Sequence, residues 1–434
     1  MTTDPTAALD PRDSRDPRTF VIVGAGQAGR WLVLTLRSEG FTGRIVWFGD
    51  EAHAAYDRPP LSKAVLQGEV TIAQLALLPE PKFGEADVAW RPGERVVAID
   101  RAQRLVRTAG GDAVGYDVLF LANGGHARSL PGLAPHPRVA TLRSFEDALA
   151  VKQLMADAQH VLVLGGGWIG LEVAASARLQ GKQVTLLEAA PRLCIRTVPA
   201  CVSEHLLAMH QARGVAVRLG DAVRSVQADA QGVSVHMASG DEHRADMLVA
   251  GIGLVANDGL AADAGLATGN GVLTDACGRT DDPLIFAVGD VANALRADGT
   301  RLRIESWENA ERQAVAAART ALGIACDPEA AGPPWFWSDQ YEDNIQLLGL
   351  PDASMRVIER RVTTITTGRR EQRVFFFCEG PRVRAVAAVN AGRDLKVARK
   401  WMQQDRFPAL ESLADPALDL NKLATVAVAV ERSL

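Results

Sequence analysis

Short apolar runs along this chain give way to glycine and then to helical periodicity, and they do so twice. Residues 19–23, TFVIV, form the β-branched and aromatic run of a buried parallel strand. Glycines follow at 24, 26 and 29, and a helix is expected over about Ala28–Arg37. A second strand is predicted at Arg44–Phe48, ending in Gly49-Asp50-Glu51. The pattern recurs at His160–Leu164, with glycines at 165, 167 and 170 and a helix to about Gln180. Gly181 stops that helix, and strand Gln183–Leu187 ends in Glu188. A third apolar run, Leu284–Val288, leads into Gly289-Asp290 and the apolar start of a further helix, which Asp290 is expected to cap. Residues 330–434 hold no glycine-rich loop. They offer strand-like runs at Arg373–Cys378 and Val383–Val389 and a helix at Asp394–Gln404.

Both glycine sets fit G-x-G-x-x-G. In such a loop the first glycine makes the tight turn, the second lets phosphate oxygens approach bare backbone, and the third lets helix and strand pack closely. The helix then points unpaired amides and its positive dipole end at a pyrophosphate. Asp50 lies 26 residues after Gly24, and Glu188 lies 23 after Gly165, near the spacing of a ribose-binding acid. Two Rossmann-like dinucleotide-binding domains are therefore expected in an α/β chain, followed by an α+β C-terminal domain. A chain with two dinucleotides is suited to passing electrons between them.

Length and composition narrow the partners. The 434 residues suggest about three domains. The net charge of −5 argues for no nucleic acid, and no apolar run reaches membrane-spanning length, so no membrane is expected. Residues 1–18 read as a flexible polar tail without a secretory core, which points to the cytoplasm. Cys194, Cys201, Cys277, Cys326 and Cys378 are scattered and odd in number, which fits free thiols in a reducing compartment. The eight histidines show no metal-ligand spacing, so no metal is expected.

Several stretches together resemble the FAD-dependent ferredoxin reductases of bacterial oxygenase systems. They are TFVIVGAGQAG (19–29), YDRPPLSK (56–63), LGGGWIGLEVAASA (164–177), TLLEAAPRL (185–193), DMLVAGIGLVAND (246–258), TDDPLIFAVGDVA (280–292), RIESWENAERQA (303–314) and PPWFWSDQYEDNIQLLGL (333–350). The resemblance implies a two-dinucleotide, glutathione-reductase-like fold. Its FAD domain is discontinuous (19–122 and 250–329), its NAD domain spans 123–249, and a ferredoxin-facing domain spans 330–434. FAD would be held by Gly24, Gly26, Gly29, Asp50, Glu51, Arg58, Lys63, Arg128, Asp290 and Trp307. NADH would be held by Gly165, Gly167, Ile169, Gly170 and Glu188. Lys63, Glu172 and Trp337 would be the catalytic residues.

The prolines of YDRPPLSK predict a stiff loop that is not helical at Arg58. The resemblance lays that loop over the flavin, with Lys63 near N5 and O4; by itself Lys63 reads as a solvated lysine. Glu172 is expected on the first turn of the second glycine-loop helix, where the helix dipole alone would favour it. The resemblance pairs it with Lys63. Trp337 is implied on the ferredoxin side of the flavin, and Trp335 is left to packing.

Relatives with this layout reduce disulfides or oxygen through cysteine beside the flavin, yet residues 50–66 contain none. Electrons must then leave directly to an outside acceptor. The resemblance implies a [2Fe–2S] ferredoxin, of Rieske type or plant/adrenodoxin type. Behind it would stand a terminal Rieske oxygenase or cytochrome P450 of aromatic hydrocarbon catabolism. Residues 351–410 carry 13 Lys+Arg against 6 Asp+Glu, a basic stretch suited to steering an acidic ferredoxin. Arg360, Arg361, Arg369 and Arg370 are candidate contacts. Three positions depart from the family pattern: Asn123 before the crossover, Ala256, and Trp168 in the second loop. Two alternatives share the layout, an interaction protein of the apoptosis-inducing-factor group and an NADH:quinone reductase. Neither a long insertion nor an apolar anchor supports them.

Overall fold

A computed structural model describes residues 16–77, 87–130, 135–327, 332–362 and 371–427. Most of the expected tail, and both Arg369 and Arg370, lie outside these. The chain divides into two compact units.

The first unit comprises 1–57, 76–125 and 256–330. Its sheet is fully parallel, in the order Ile285–Ala287, Val118–Leu121, Thr19–Val23, Arg44–Phe48, Val88–Arg91. The strands are apolar on both faces, as burial between two layers requires. One face is covered by helices Gln27–Ser38 and Trp307–Ala321, whose small residues Ala28, Ala310, Ala314 and Ala317 let them approach closely. The other face carries an antiparallel meander, Val96–Asp100, Leu105–Thr108 and Ala113–Gly115.

The second unit comprises 58–75, 126–255 and 331–434. It repeats the first plan. Val215–Leu219, Gln183–Glu188, His160–Leu164, Met247–Ala250 and Val139–Ala140 form a parallel sheet, with a meander over Val223–Ala228, Val233–Met237 and Glu242–Ala245. Its other part is a five-stranded antiparallel sheet in the order Trp335–Gln340, Asp343–Gly349, Arg382–Val389, Gln372–Glu379, Arg356–Val362. Helix Gly392–Gln404 packs on it through Leu395, Ala398 and Trp401. The fold is thus two Rossmann-like dinucleotide domains and an α+β C-terminal domain.

Segment 58–75 groups with the second unit because its polar groups bond there. Ser176 Oγ donates to Ser62 O (2.7 Å), Gln67 Nε2 to Ser176 O (3.1 Å) and Gln180 Nε2 to Leu66 O (3.0 Å).

Four local expectations are corrected. After Gly289-Asp290 there is only a one-turn 3-10 segment, Gly289–Val291, then strand Ala292–Leu295, so Asp290 caps no apolar helix. Ala292, Asn293 and Ala294 pair in parallel with the β-branched strand Val272–Thr274, and Ala294 and Leu295 pair with Arg301–Leu302, rather than coil. Arg58 sits in the right-handed helical region (φ −86°, ψ −30°) and opens a 3-10 turn, Pro59–Ser62. Its guanidinium holds it there, donating to Arg143 O at 2.7 Å. Cys277 and Cys326, 49 residues apart, are joined by a disulfide. Finally, Arg360 is 4% exposed: its Nη2 donates to Leu418 O (2.6 Å), and its Nε faces Asp394 at 3.6 Å. It is therefore no surface contact.

Candidate functional site: two dinucleotide loops and the Lys63–Glu172 ion pair

The two glycine loops have the same design. Gly24 and Gly165 adopt φ +115° and +104°, which an L side chain rarely tolerates. A Cβ at Gly29 or Gly170 would collide with the carbonyl of Gly24 or Gly165 in the loop below. A Cβ at Gly26 or Gly167 would meet nothing within 4 Å, so these two face open space. Helices Gln27–Ser38 and Trp168–Leu179 begin there without a side-chain cap and without an acid in the first turn. Their first amides are thus available to an anion. Both polar atoms of the Gln27 side chain are buried without a hydrogen-bond partner among the described residues. The residues present fit a dinucleotide at each loop.

Around the first loop, Tyr56 OH donates to Glu51 Oε2 at 2.6 Å, and Asp50 is exposed at the strand end. Arg303 Nη1 donates to Asp290 O at 3.1 Å and Gln313 accepts from Gly289 N at 2.8 Å, which fixes the turn that presents Asp290. Trp307 Nε1 donates to Asp57 Oδ1 at 2.9 Å from the first residue of a helix capped by Ser306. Asn123, the departure noted at the crossover, forms a reciprocal pair: its Nδ2 donates to Asn257 O (2.8 Å), and Asn257 Nδ2 donates to Asn123 O (2.7 Å).

In the second unit, Glu188 ends its strand with the carboxylate fixed by two backbone donors, Gly166 N (2.5 Å) and Ala190 N (2.7 Å). Arg192 does not reach across to it. Its Nη1 donates to Val198 O (2.5 Å) and Ser203 Oγ (2.9 Å), and its Nη2 to Ile195 O (3.2 Å). Ile169 is 43% exposed beside Gly167, unusual for so large an apolar residue. Trp168 begins the helix with its ring 5.0 Å from that of Phe336. Arg128 contributes its backbone N, which donates to Gly253 O at 2.9 Å.

Lys63 and Glu172 form an ion pair at 2.9 Å. Glu172 is the fifth residue of its helix, not a first-turn residue, so the helix dipole does not account for it. It is 4% exposed and accepts from three groups: Lys63 Nζ and Ser338 Oγ (2.5 Å) on Oε1, and Ser62 Oγ on Oε2. A carboxylate buried this deeply is sustained only by such donors. Lys63 Nζ also donates to Pro59 O at 3.1 Å. Trp337 lies two residues along the strand from Trp335, with the rings stacked at 4.9 Å and 16°. Trp335 packs against the C-terminal core, and its Nε1 donates to Gln346 Oε1 at 3.0 Å. Ser62, Ser338, Gln340 and His210 were missed in the sequence. Adjacency to Lys63 and Trp337 was a faint signal for the two serines; nothing linear marked the others.

The free thiols offer no electron relay. Burial pushes Cys194 far up, Cys201 up, and Cys378 up to about 11. A thiol so shifted is a poor nucleophile at neutral pH.

Residues 18–314 match the family described as pyridine nucleotide-disulphide oxidoreductase, and 335–424 match the reductase C-terminal family. Two similar solved structures share about a third of their residues with this chain. The ferredoxin reductase for the CYP199A2 system from Rhodopseudomonas palustris is 34% identical, with a TM-score of 0.87 over 93% of this chain and 99% of its own. Putidaredoxin reductase, in its covalent complex with putidaredoxin, is 35% identical, with a TM-score of 0.86 over 93% and 97%. The water-forming NADH oxidase from Lactobacillus brevis, at 20% identity, a TM-score of 0.81 and coverage of 94% and 97%, shares the fold alone. The chain belongs to the pyridine nucleotide-disulphide oxidoreductases and, within them, to the ferredoxin reductases.

Proposed function

We propose that this protein passes electrons from NADH through FAD to a [2Fe–2S] ferredoxin. FAD, when bound, takes two electrons together from NADH and releases them singly, which an iron–sulfur centre requires. The first unit holds FAD through Gly24, Gly26, Gly29, Asp50, Glu51, Asp290 and Trp307. Arg58 and Arg128 are assigned to FAD on the family resemblance. Gly165, Gly167, Ile169, Gly170 and Glu188 hold NADH. Lys63, anchored by Glu172, supplies a fixed positive charge where negative charge collects on reduction. Trp337 serves the outgoing electron.

One observation carries this reading. An ion pair between Lys63 and the buried Glu172 lies in a chain whose residues 50–66 lack the cysteine that thiol-relaying relatives need. The ferredoxin is of Rieske or plant/adrenodoxin type, feeding a terminal oxygenase, and the setting is the cytoplasm, where NADH is made. Among the described residues, no helix is long and apolar enough to cross a membrane. The test is NADH-driven reduction of cytochrome c with and without added ferredoxin. Reduction should depend on ferredoxin; an equal rate without it removes ferredoxin from the scheme.

A further inference from the structure

One of the donors on Glu172 is the end of a longer series, all within the second unit. Ser338 Oγ donates to Glu172 Oε1 at 2.5 Å. Gln340 Nε2 donates to Ser338 Oγ at 3.0 Å. His210 Nε2 lies 2.8 Å from Gln340 Oε1, and Tyr341 OH lies 3.0 Å from His210 Nδ1. The Arg213 guanidinium covers the Tyr341 ring at 4.4 Å and is itself paired with Glu342 and Asp343, each at 2.9 Å.

Elementary chemistry orients every bond. A carboxylate only accepts, so the Ser338 hydrogen points at Glu172 and its oxygen takes the Gln340 amide hydrogen. The amide oxygen of Gln340 then faces His210, so Nε2 of that ring carries the hydrogen. Nδ1 of the neutral ring is an acceptor, and the Tyr341 hydroxyl must donate to it. Burial pushes His210 down to about 4, which keeps the ring neutral. The series therefore runs one way, Tyr341 to His210 to Gln340 to Ser338 to Glu172, with each positive end turned toward the carboxylate. Ser338 and His210 are fully buried and Gln340 is 1% exposed. In so dry a place successive hydrogen bonds polarise one another, and a missing member leaves its neighbour unpaired.

We propose that Ser338, Gln340 and His210 are positioning residues for the Lys63–Glu172 pair. They fix the rotamer of Glu172 and, through it, the ammonium of Lys63. A carboxamide in the middle makes the string a brace rather than a proton route. The strand Trp335–Gln340 carries both the brace and Trp337, and helix Ala200–Ala212 supplies His210. The inference rests on the reading of Lys63–Glu172 as the hydride-transfer site.

Two measurements on the FAD-loaded protein decide it. In ¹⁵N-histidine spectra, His210 should be locked as the Nε2–H tautomer, and Gln340→Leu should release it to a mixture. A wild-type ring protonated at Nδ1 would overturn the string. In stopped-flow reduction by NADH, Ser338→Ala and Gln340→Leu should each lower the limiting rate about ten-fold, with NADH affinity within about two-fold. Ser338→Thr, which keeps the hydroxyl, should restore most of the rate. A loss confined to NADH affinity, no loss, or no rescue by threonine would overturn the positioning role. Glu172→Gln and Lys63→Ala serve as the reference. If they leave the rate intact, the functional reading fails; if they slow it and the string variants do not, only this inference fails.

Discussion

At the scale of single residues, two titratable side chains, Glu188 and His210, give properties that can be measured. The carboxylate of Glu188 spends part of its acceptor capacity on Gly166 N and Ala190 N, which aims the rest outward from the strand end. A ribose with free hydroxyls suits it. A 2′-phosphate would set negative charge beside it, costing roughly 1–4 kcal/mol across the range of local dielectric. Arg192 gives no relief, because its guanidinium is engaged by Val198, Ile195 and Ser203. The kcat/KM for NADH should exceed that for NADPH by about ten-fold or more, and Glu188→Ala should narrow the gap. Equal values in the wild type refute the assignment. His210 gives a pH prediction. Its folded-state value lies near 4, below the ordinary 6.5, chiefly through burial. Its contribution to stability is therefore present above pH 6.5 and is lost as pH falls toward 4. The size is about 3 kcal/mol. Burial pushes His160 and His205 the same way, so the comparison must isolate one ring. Between pH 7 and pH 4.5 the unfolding free energy should fall more steeply in the wild type than in His210→Gln. Parallel slopes would show that His210 does not titrate in this window.

At the scale of elements, the strand–loop–helix turn separates fold from function. Gly29→Ala drives a Cβ into the Gly24 carbonyl, whereas Gly26→Ala meets only open space. The first should destabilise the fold by about 1–3 kcal/mol through overpacking of a close helix–strand contact, read as a lowered melting temperature. The second should leave the melting temperature of FAD-free protein unchanged while weakening FAD retention, read as loss of flavin absorbance after gel filtration. If Gly26→Ala keeps its flavin, the first loop does not carry the pyrophosphate. Gly167→Ala should behave likewise toward NADH.

At the scale of the whole molecule, the two half-reactions should respond differently to salt. The basic stretch 351–410 is less free than its charge suggests. Arg360 is buried, Arg361 and Arg373 are both held by Glu359, and Arg382 is paired with Asp405. On helix Gly392–Gln404 the exposed cations Arg393, Lys396 and Lys400 repeat at three and four residues and share one face, with Arg393 facing Asp419 at 3.7 Å. Exposed charges are screened within about 8 Å at physiological ionic strength. Raising salt toward about 0.5 M should slow ferredoxin-linked cytochrome reduction through association, and leave flavin reduction by NADH nearly unchanged. Lys396→Glu with Lys400→Glu should mimic high salt at low salt. Trp337→Ala should instead slow transfer at saturating ferredoxin. Equal slowing of both half-reactions by salt would place ferredoxin docking elsewhere.

The sequence by itself determined the two glycine loops, their flanking strands and helices, the acid at the second strand end, and the absence of cysteine from 50–66. Such features are local. A turn of positive φ, a helix start and a period of two or 3.6 are all written in neighbouring residues. Only the tertiary structure decided what lies beside what. It showed that Lys63 and the buried Glu172, 109 positions apart, form an ion pair, and that Ser338, Gln340 and His210 are linked to it by hydrogen bonds. It grouped 58–75 with the second unit, joined Cys277 to Cys326, and turned Arg360 from a docking candidate into a core cation. It also ended the segment after Asp290 in a strand where local composition suggested a helix. Pairing across long separations leaves no periodic trace in the chain, because hydrogen bonds and ion pairs depend on side chains meeting in space.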